Sequence, residues 1–497
     1  MLKKIRIIVA SLFYALLTLL FLDFTGTIHQ YLGWLAKIQF VPAILAHSLI
    51  LIGALLLLTL FFGRIYCSVI CPLGVWQDGV SNLSARRKGK KNRFRYSAAK
   101  SIWRYAFLAV FVVALVAGVN VVASLLDPYA AFGRVAQNLF APIYRLGNNA
   151  LAFFAEKLDS YAFYTTDLWL KSGASLAVAI ISLAVVSFMA WRNGRSYCNI
   201  ICPVGTFLGL FSKFSLFCIS FDEDKCGQCK ACERACKASC IDVKNMTIDH
   251  SRCVACFNCI DKCKFDGLKY SPAKASKAKK EVAVEENSSN GISRKSTLAI
   301  IGALGISSTL KAQQLKVDGG MADLEDKKVP NRKTSLAPPG AQSANNLKQH
   351  CTACQLCVST CPNQVLRPSY KLNTFMQPEM SFERGYCRPE CVACSEVCPT
   401  GSIQPIDTAE KTSIAIGHPI WLADNCVVNR DEVQCNNCEH HCPTGAISMV
   451  ARNPESKLKT PVINKGLCIG CGACEHLCPA RPFSAIYVEG YVKHHII

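Results

Sequence analysis

The chain has 497 residues, 30 of them cysteine, with a formal net charge of +21 and 51% hydrophobic residues. That length implies several domains. The apolar content argues against nucleic-acid binding as the reason for the basicity, and cysteines recurring in close triplets argue against a disulfide framework. Residues 312–497 hold 18 Lys+Arg against 17 Asp+Glu, so nearly all the excess charge lies in residues 1–311.

Four apolar runs open the chain: 6–22, 40–62, 105–126 and 174–191. Each is near the length that crosses about 30 Å of hydrocarbon as a helix. Lys3, Lys4 and Arg6 precede the first. Arg86, Arg87, Lys88, Lys90, Lys91, Arg93, Arg95, Lys100 and Arg104 separate the second from the third. The loop 127–171 balances four basic against four acidic residues. By the positive-inside rule the N-terminus and the second loop face the cytoplasm, and the loops 23–39 and 127–171 face outside. Residues 136–158 predict an amphipathic surface helix on that outer side. No small-residue cleavage site follows the first run, so it reads as a retained crossing.

A repeat marks the cytoplasmic ends of the second and fourth crossings. Gly63-Arg64-Ile65-Tyr66-Cys67 to Cys71-Pro72-Leu73-Gly74 matches Gly194-Arg195-Ser196-Tyr197-Cys198 to Cys202-Pro203-Val204-Gly205. A C-x3-C spacing puts two sulfurs on one helical face, and the following Pro ends the helix. Cys67, Cys71, Cys198 and Cys202 are therefore candidates for a metal or cluster site, for redox-active disulfides, or for packing.

Six quartets of cysteine follow. Cys226, Cys229, Cys232, Cys236 and Cys253, Cys256, Cys259, Cys263 lie mid-chain. Cys351, Cys354, Cys357, Cys361 and Cys468, Cys471, Cys474, Cys478 form C-x2-C-x2-C-x3-C-P runs. Two are stretched: Cys387, Cys391, Cys394, Cys398 and Cys426, Cys435, Cys438, Cys442. Three closely spaced thiolates suit three corners of a [4Fe–4S] cubane, whereas structural zinc takes two pairs. About six [4Fe–4S] clusters are expected, and with them electron transfer. Cys218 reads as a core residue, and Cys240 competes with Cys236 as a ligand.

The reading divides the chain into a membrane domain (1–221), a cytoplasmic two-cluster ferredoxin domain (222–270), a polar linker (271–295), an apolar signal-like or anchor segment (296–311) and a four-cluster ferredoxin domain (312–497). The segment beginning Ser293-Arg294-Lys295-Ser296-Thr297-Leu298 has the form of a twin-arginine export signal with Lys for the second Arg, which puts the last domain in the periplasm. The fold class is multidomain: four transmembrane helices plus α+β ferredoxin-like [4Fe–4S] domains.

These motifs resemble two subunits of the quinol-dehydrogenase module of periplasmic nitrate reductase. The first half is similar to its membrane iron–sulfur subunit (NapH type, related to MauN), in its crossings, its two Y-C-x3-C-P repeats and its two-cluster ferredoxin. The second half resembles the exported four-cluster partner (NapG or MauM type), in the signal-like segment, Ala337-Pro338-Pro339-Gly340 and four cysteine motifs. Lys237 and Lys264 depart from the Pro that ferredoxins often place after the fourth Cys. The resemblance implies a bacterial inner-membrane protein that takes electrons from menaquinol and passes them to a periplasmic reductase or cytochrome, with lipid and the quinol pool as surroundings and no nucleic acid. It also implies that the outer motifs pair, Cys478 joining Cys351, Cys354 and Cys357, and Cys361 joining Cys468, Cys471 and Cys474, while the inner motifs exchange Cys398 and Cys442. In the mid-chain module the exchange is between Cys236 and Cys263. A quinol site needs proton acceptors, and His47, Asp23 and Asp127, with His29, are the ionisable groups near the outer ends of the crossings. Two alternatives stand beside this: a conduit from a cytoplasmic ferredoxin or flavoprotein to periplasmic acceptors, and a redox maturation factor. No haem-attachment motif or nucleotide loop appears, so whether the chain alone is an enzyme is left open.

Overall fold

The computed structural model describes residues 1–23, 26–87, 94–160, 162–222, 224–273, 325–452 and 456–497. The signal-like segment, nearly all of the linker, and Lys88, Lys90, Lys91 and Arg93 lie outside the described residues. Met1–Pro272 and Lys327–Ile497 form one compact unit; a second, Ala273–Asp326, falls almost wholly outside the described residues.

The first apolar run is a single helix, α1 (Leu2–Leu22), of 21 residues. At 1.5 Å per residue it is about 31 Å long, enough to cross a bilayer. The second run is not one helix. It breaks into α2 (Phe40–Leu45) and α3 (Leu49–Phe62), with His47 between them at φ 51. The third divides into α6 (Ser101–Val116) and α7 (Asn120–Leu126) around Ala117–Val119, after α4 (Ile65–Val69) and α5 (Pro72–Arg87). Among the described residues two helices are long and apolar enough to cross a membrane, α1 and the later Gly173–Asn193. Of the four expected crossings, the first and fourth are full-length helices, and the second and third are broken, with apolar helices of 14 and 16 residues as their longest parts. Mean hydropathy carries no mark of these breaks, because backbone turns can be built from apolar residues when their polar groups bond locally. At His47 they do: the Ser48 amide donates to the Ala43 carbonyl at 3.1 Å.

The helix expected over 136–158 is present as a π-helical turn (Ala136–Phe140) and α9 (Ala141–Glu156), preceded by α8 (Pro128–Val135). It is followed by α10 (Gly173–Asn193), α11 (Ser196–Ile200) and α12 (Pro203–Ser212). Only 28% and 22% of the apolar windows of α1 and α10 are buried against protein. Ile8, Leu12, Leu49, Ile50, Val113, Val116, Ile181 and Phe188 point outward with large exposed areas. A soluble core helix would be covered; apolar exposure on this scale marks a lipid or partner surface.

The first ferredoxin module is closed by an antiparallel pair, β1 (Phe217–Phe221) and β4 (Leu268–Pro272), with the short pair β2 (Ile241–Asp242) and β3 (Thr247–Ile248) between. It therefore begins before residue 222. The C-terminal domain holds three antiparallel pairs: β5 (Leu366–Pro368) with β6 (Pro378–Met380), β7 (Ile414–Trp421) with β10 (Ile486–Ile496), and β8 (Ile447–Ala451) with β9 (Lys459–Ile463). One buried cluster runs without interruption from Leu17 and Phe21 of α1, through Tyr129 and Phe132, to Cys354, Leu356 and Phe382. The membrane-type domain and the C-terminal domain thus share a core.

Candidate metal centres

The four regular cysteine motifs fold alike. In each, the residues either side of the second Cys adopt positive φ: Gln228 and Lys230, Ala255 and Phe257, Ala353 and Gln355, Gly470 and Gly472. Alternating left-handed residues curl the backbone so that its N–H groups face inward, the form of an anion-binding concavity. A short helix then carries the third Cys: α13 (Ala231–Ala235), α14 (Asn258–Lys262), α15 (Leu356–Thr360) and α16 (Ala473–Leu477). The fourth Cys stands at that helix's C-terminus. The Ala353 and Gly470 amides donate to the sulfurs of Cys351 and Cys468, each at 3.3 Å. Buried thiols served by backbone donors are what a thiolate-bound cluster requires, so the residues fit a [4Fe–4S] group. Among the described residues no three thiol, imidazole or carboxylate groups converge as on a single ion. In a cubane each thiolate binds a different iron, so its ligands surround a volume rather than a point.

The nearest charged neighbours of each thiol show which cysteines lie together. Burial above all pushes Cys232 up to about 11, with Cys263 and Cys226 adding to it. Cys236 acts in the same way on Cys256 and Cys259. Cys263 thus neighbours Cys232, and Cys236 neighbours Cys256 and Cys259. Cys240 lies 3.5 Å from Cys236, sulfur to sulfur, and also faces Cys253.

The C-terminal pairing is a correction. Burial raises Cys351, Cys354 and Cys357, and the neighbour common to all three is Cys398. Cys361 instead faces Cys387 and Cys394. Cys426, Cys435, Cys438 and Cys478 line one cavity, and Cys442, Cys468, Cys471 and Cys474 line another. Successive motifs pair, not outer with outer and inner with inner. The physical reason is local. The β7–β10 pair brackets the last two motifs as β1–β4 brackets the mid-chain pair, which closes each two-motif unit on itself.

The repeat in the membrane-type domain brings Cys67, Cys71, Cys198 and Cys202 into one buried cluster, and none is in a disulfide. The two copies clasp each other. Arg64 donates to the Cys198 carbonyl at 3.3 Å, and Arg195 to the Cys67 carbonyl at 2.8 Å. Gly74 and Gly205 make room for this: a Cβ would lie 2.2 Å from the Cys67 oxygen and 2.3 Å from the Cys198 oxygen. Gln77 donates to the Cys198 sulfur at 3.2 Å. Val254 and Cys256 of the first module belong to the same buried cluster.

Sequence reasoning missed the carboxylate that ties these parts together. Asp78, buried on α5, meets Arg6 at 2.6 Å, Arg195 at 2.9 Å and Lys237 at 3.4 Å. Burial opposes its ionisation, but Arg195, Lys237 and Arg6 outweigh this and hold the carboxyl well below the usual range. Lys237 thus replaces the customary Pro with an anchor. A signal was available in Arg195 of the second repeat, whose charge, set beside an apolar run, needs a buried partner.

The proposed quinol residues part company. Asp23 is buried at the end of α1, where it accepts from the Gly26 and Ile28 amides and meets His29 at 3.0 Å. His29 in turn reaches Thr360 at 3.2 Å. Asp127 is the N-cap of α8, accepting from the Tyr129 and Ala130 amides, each at 3.1 Å. His47 is exposed at the α2–α3 break beside His350, not two turns inside a helix. The premise of an ionisable group held within a crossing fails for it. Buried Tyr66 and Tyr197 stand within electrostatic reach of both the four thiols and Asp127, and Tyr129 within reach of both Asp127 and Cys354.

The two ferredoxin parts sit at opposite ends of α1. Lys3 pairs with Asp261 at 2.7 Å, while the segment just after Leu22 bonds Thr360 through His29.

Two family models match the chain. One, described as a 4Fe-4S binding domain, matches residues 45–91 and 175–218, which carry the four thiols of the repeat. The other, a 4Fe-4S dicluster domain, matches 350–402 and 433–481. The chain is 28% identical over 181 residues to the ferredoxin-type protein NapF of Escherichia coli, covering 36% of this chain and 100% of that protein. It is 29% identical over 163 residues to the methylamine utilization ferredoxin-type protein MauM of Methylobacillus flagellatus, 31% of this chain and 67% of that one. An uncharacterized protein of Methanocaldococcus jannaschii is 36% identical over 101 residues, 20% of this chain, which spans only 39% of that relative's length. No solved structure matches the chain. With 4Fe–4S domains of two kinds and ferredoxin-type relatives, this is a ferredoxin-type electron-transfer protein.

Proposed function

We propose that the chain is a membrane-bound electron carrier that draws electrons from menaquinol and delivers them to a reductase or cytochrome in the periplasm. The observation that carries this reading is the shared core between the C-terminal domain and the apolar helices, which seats the Cys351 motif against Tyr129 and α8. A bound [4Fe–4S] cluster supplies one-electron storage and release. The protein's own part is to hold it dry, close to its neighbours and beside the lipid-facing surface. Cations accompany the centres: buried Lys411 donates to the Cys391 carbonyl, and half-buried Lys327 to the Cys478 carbonyl at 2.9 Å. Such charges favour the more negative, reduced form of a cluster.

The arrangement also favours a second reading. The four thiols of the repeat pack against Cys256 on one side and lead through Tyr66, Tyr197 and Tyr129 to Cys354 on the other. A redox centre there would join the two ferredoxin parts, as a conduit from a cytoplasmic donor requires. In both readings the N-terminus is cytoplasmic, the membrane is the bacterial inner membrane and the C-terminal domain is periplasmic. Anaerobic mixing of purified protein with menaquinol analogues or with a low-potential ferredoxin separates them. Cluster bleaching by quinol alone supports the first reading; bleaching only by the ferredoxin supports the second and overturns the first.

A further inference from the structure

Beside the π-helical turn lies an apolar cavity of about 430 Å³ that no sequence motif announces. Ile143, Leu146 and Leu176 form its apolar wall, and Gln137, Arg145 and Trp169 bring polar groups into it. Three of these polar atoms are buried with no hydrogen-bond partner among the described residues: Gln137 Oε1, Arg145 Nε and Trp169 Nε1. Gln137 is only 6% exposed. Orphaned buried polar groups are rare and costly, and a cluster of them on residues that line one apolar space points to a ligand. The π-helical turn that carries Gln137 is itself a feature frequent at functional sites.

The cavity is wired to a cluster loop. Asn138, on its wall, donates to Gln355 Oε1 at 3.0 Å, and Lys171 donates to the Val358 carbonyl at 2.6 Å. Gln355 and Val358 flank Cys357 in the Cys351–Cys361 motif. Outward-facing Ile143 and Leu146, 68% and 61% exposed, continue the apolar lining to the surface. The ligand therefore has an apolar body, opposed polar atoms that both donate and accept, and a place next to an electron acceptor.

We infer that this cavity binds the ring of a quinol carrying an apolar tail. The inference rests on the quinol reading above and relocates its site away from His47. A quinol hydroxyl donates to Gln137 Oε1, while the indole and guanidinium N–H groups donate to ring oxygen. Oxidation removes two electrons, one at a time, to the iron–sulfur centre held by the adjoining cysteine loop. It releases two protons to water at the cavity mouth and leaves the quinone.

The test uses full-length protein in detergent with 2-heptyl-4-hydroxyquinoline N-oxide, a fluorescent quinol analogue whose quenching reports binding independently of turnover. Gln137→Leu and Trp169→Phe are each expected to weaken binding about tenfold, the loss of one buried hydrogen bond. Leu146→Trp, at a partly exposed position, is expected to abolish it by filling the space. Dithionite reduction of the clusters, which needs no quinol site, should stay unchanged in all three and so shows that they fold. Unaltered binding and unaltered menaquinol-driven reduction in the variants, with the parent reduced by menaquinol, would overturn the cavity and leave the quinol reading standing. A parent that neither binds the analogue nor is reduced by menaquinol overturns both.

Discussion

The mid-chain ferredoxin module and the C-terminal domain both carry C-x2-C-x2-C-x3-C motifs, but two of the four C-terminal motifs are stretched, and the expected pairing agrees with the neighbours of each thiol in the first and disagrees with them in the second. In the mid-chain module two motifs stand alone, so only one exchange of fourth cysteines between motifs is open, with Cys240, 3.5 Å from Cys236, as a competing thiol. In the C-terminal domain four motifs admit several pairings, and spacing does not rank them. What ranks them is the sheet. β7 and β10 meet across the last two motifs, which turns these into a self-contained unit and leaves Cys398 to Cys351, Cys354 and Cys357. Motif spacing specifies a ligand; strand pairing specifies its partner centre.

Cysteine substitutions break this comparison most sharply. Cys398→Ser is expected to remove the centre held by Cys351, with about four iron atoms lost per chain. Cys478→Ser should instead remove the centre of Cys426, Cys435 and Cys438. Iron analysis with low-temperature paramagnetic resonance reads both. If Cys478→Ser deleted the signal that Cys351→Ser deletes, the outer-with-outer pairing would return.

A second prediction concerns the seating of the C-terminal domain. A Cβ at Gly133 would lie 2.3 Å from the Cys354 carbonyl oxygen. Nothing there can yield, because the obstacle is backbone on a cluster loop. Gly133→Leu is expected to slow electron passage between the two parts at least about tenfold, since misplacement by about 1 Å at a redox contact is costly. Stopped-flow reduction, followed at each set of clusters, measures it. Normal rates in this variant would show that the shared core has no role in transfer.

The third is smaller and structural. Asp78→Asn leaves Arg6, Arg195 and Lys237 without their buried carboxylate and is expected to cost about 3–5 kcal/mol, as for other broken buried pairs. Thermal unfolding in detergent checks it. The pH dependence has a definite sign. The folded-state pKa of Asp78 is held below its unfolded value of about 3.9, so its stabilisation is present above that value and is lost only as pH falls through the lower, folded value. Melting temperature should therefore owe no change to this group between about pH 5 and 8. The smallest effect is that of His47→Phe, which at an exposed break should leave quinol-driven reduction within about twofold of the parent.

The parts of the molecule readable from sequence were those fixed by short-range chemistry. The cysteine quartets and the amphipathic helix over 136–158 follow from spacing and periodicity over a few residues. The repeat's four thiols were rightly singled out because Tyr, Cys, Cys and Pro recur in step. What stayed hidden depends on contacts between distant segments. The breaks fall at the few polar or small residues of otherwise apolar runs, His47-Ser48 and Gly118-Val119-Asn120, which a mean over the whole run averages away. The Asp78 hub needs Arg6, Arg195 and Lys237, which come from three separate elements. The cavity at Gln137 arises from a π-helical turn, which shifts side chains by a fraction of a turn that no 3.6-residue pattern reveals.

The account stands on the identity of what the quartets bind, and elemental analysis of anaerobically purified full-length protein addresses this most directly. The expected result is about four iron atoms and four acid-labile sulfides for each of six quartets, with negligible zinc. Stoichiometric zinc with little iron or sulfide would contradict it.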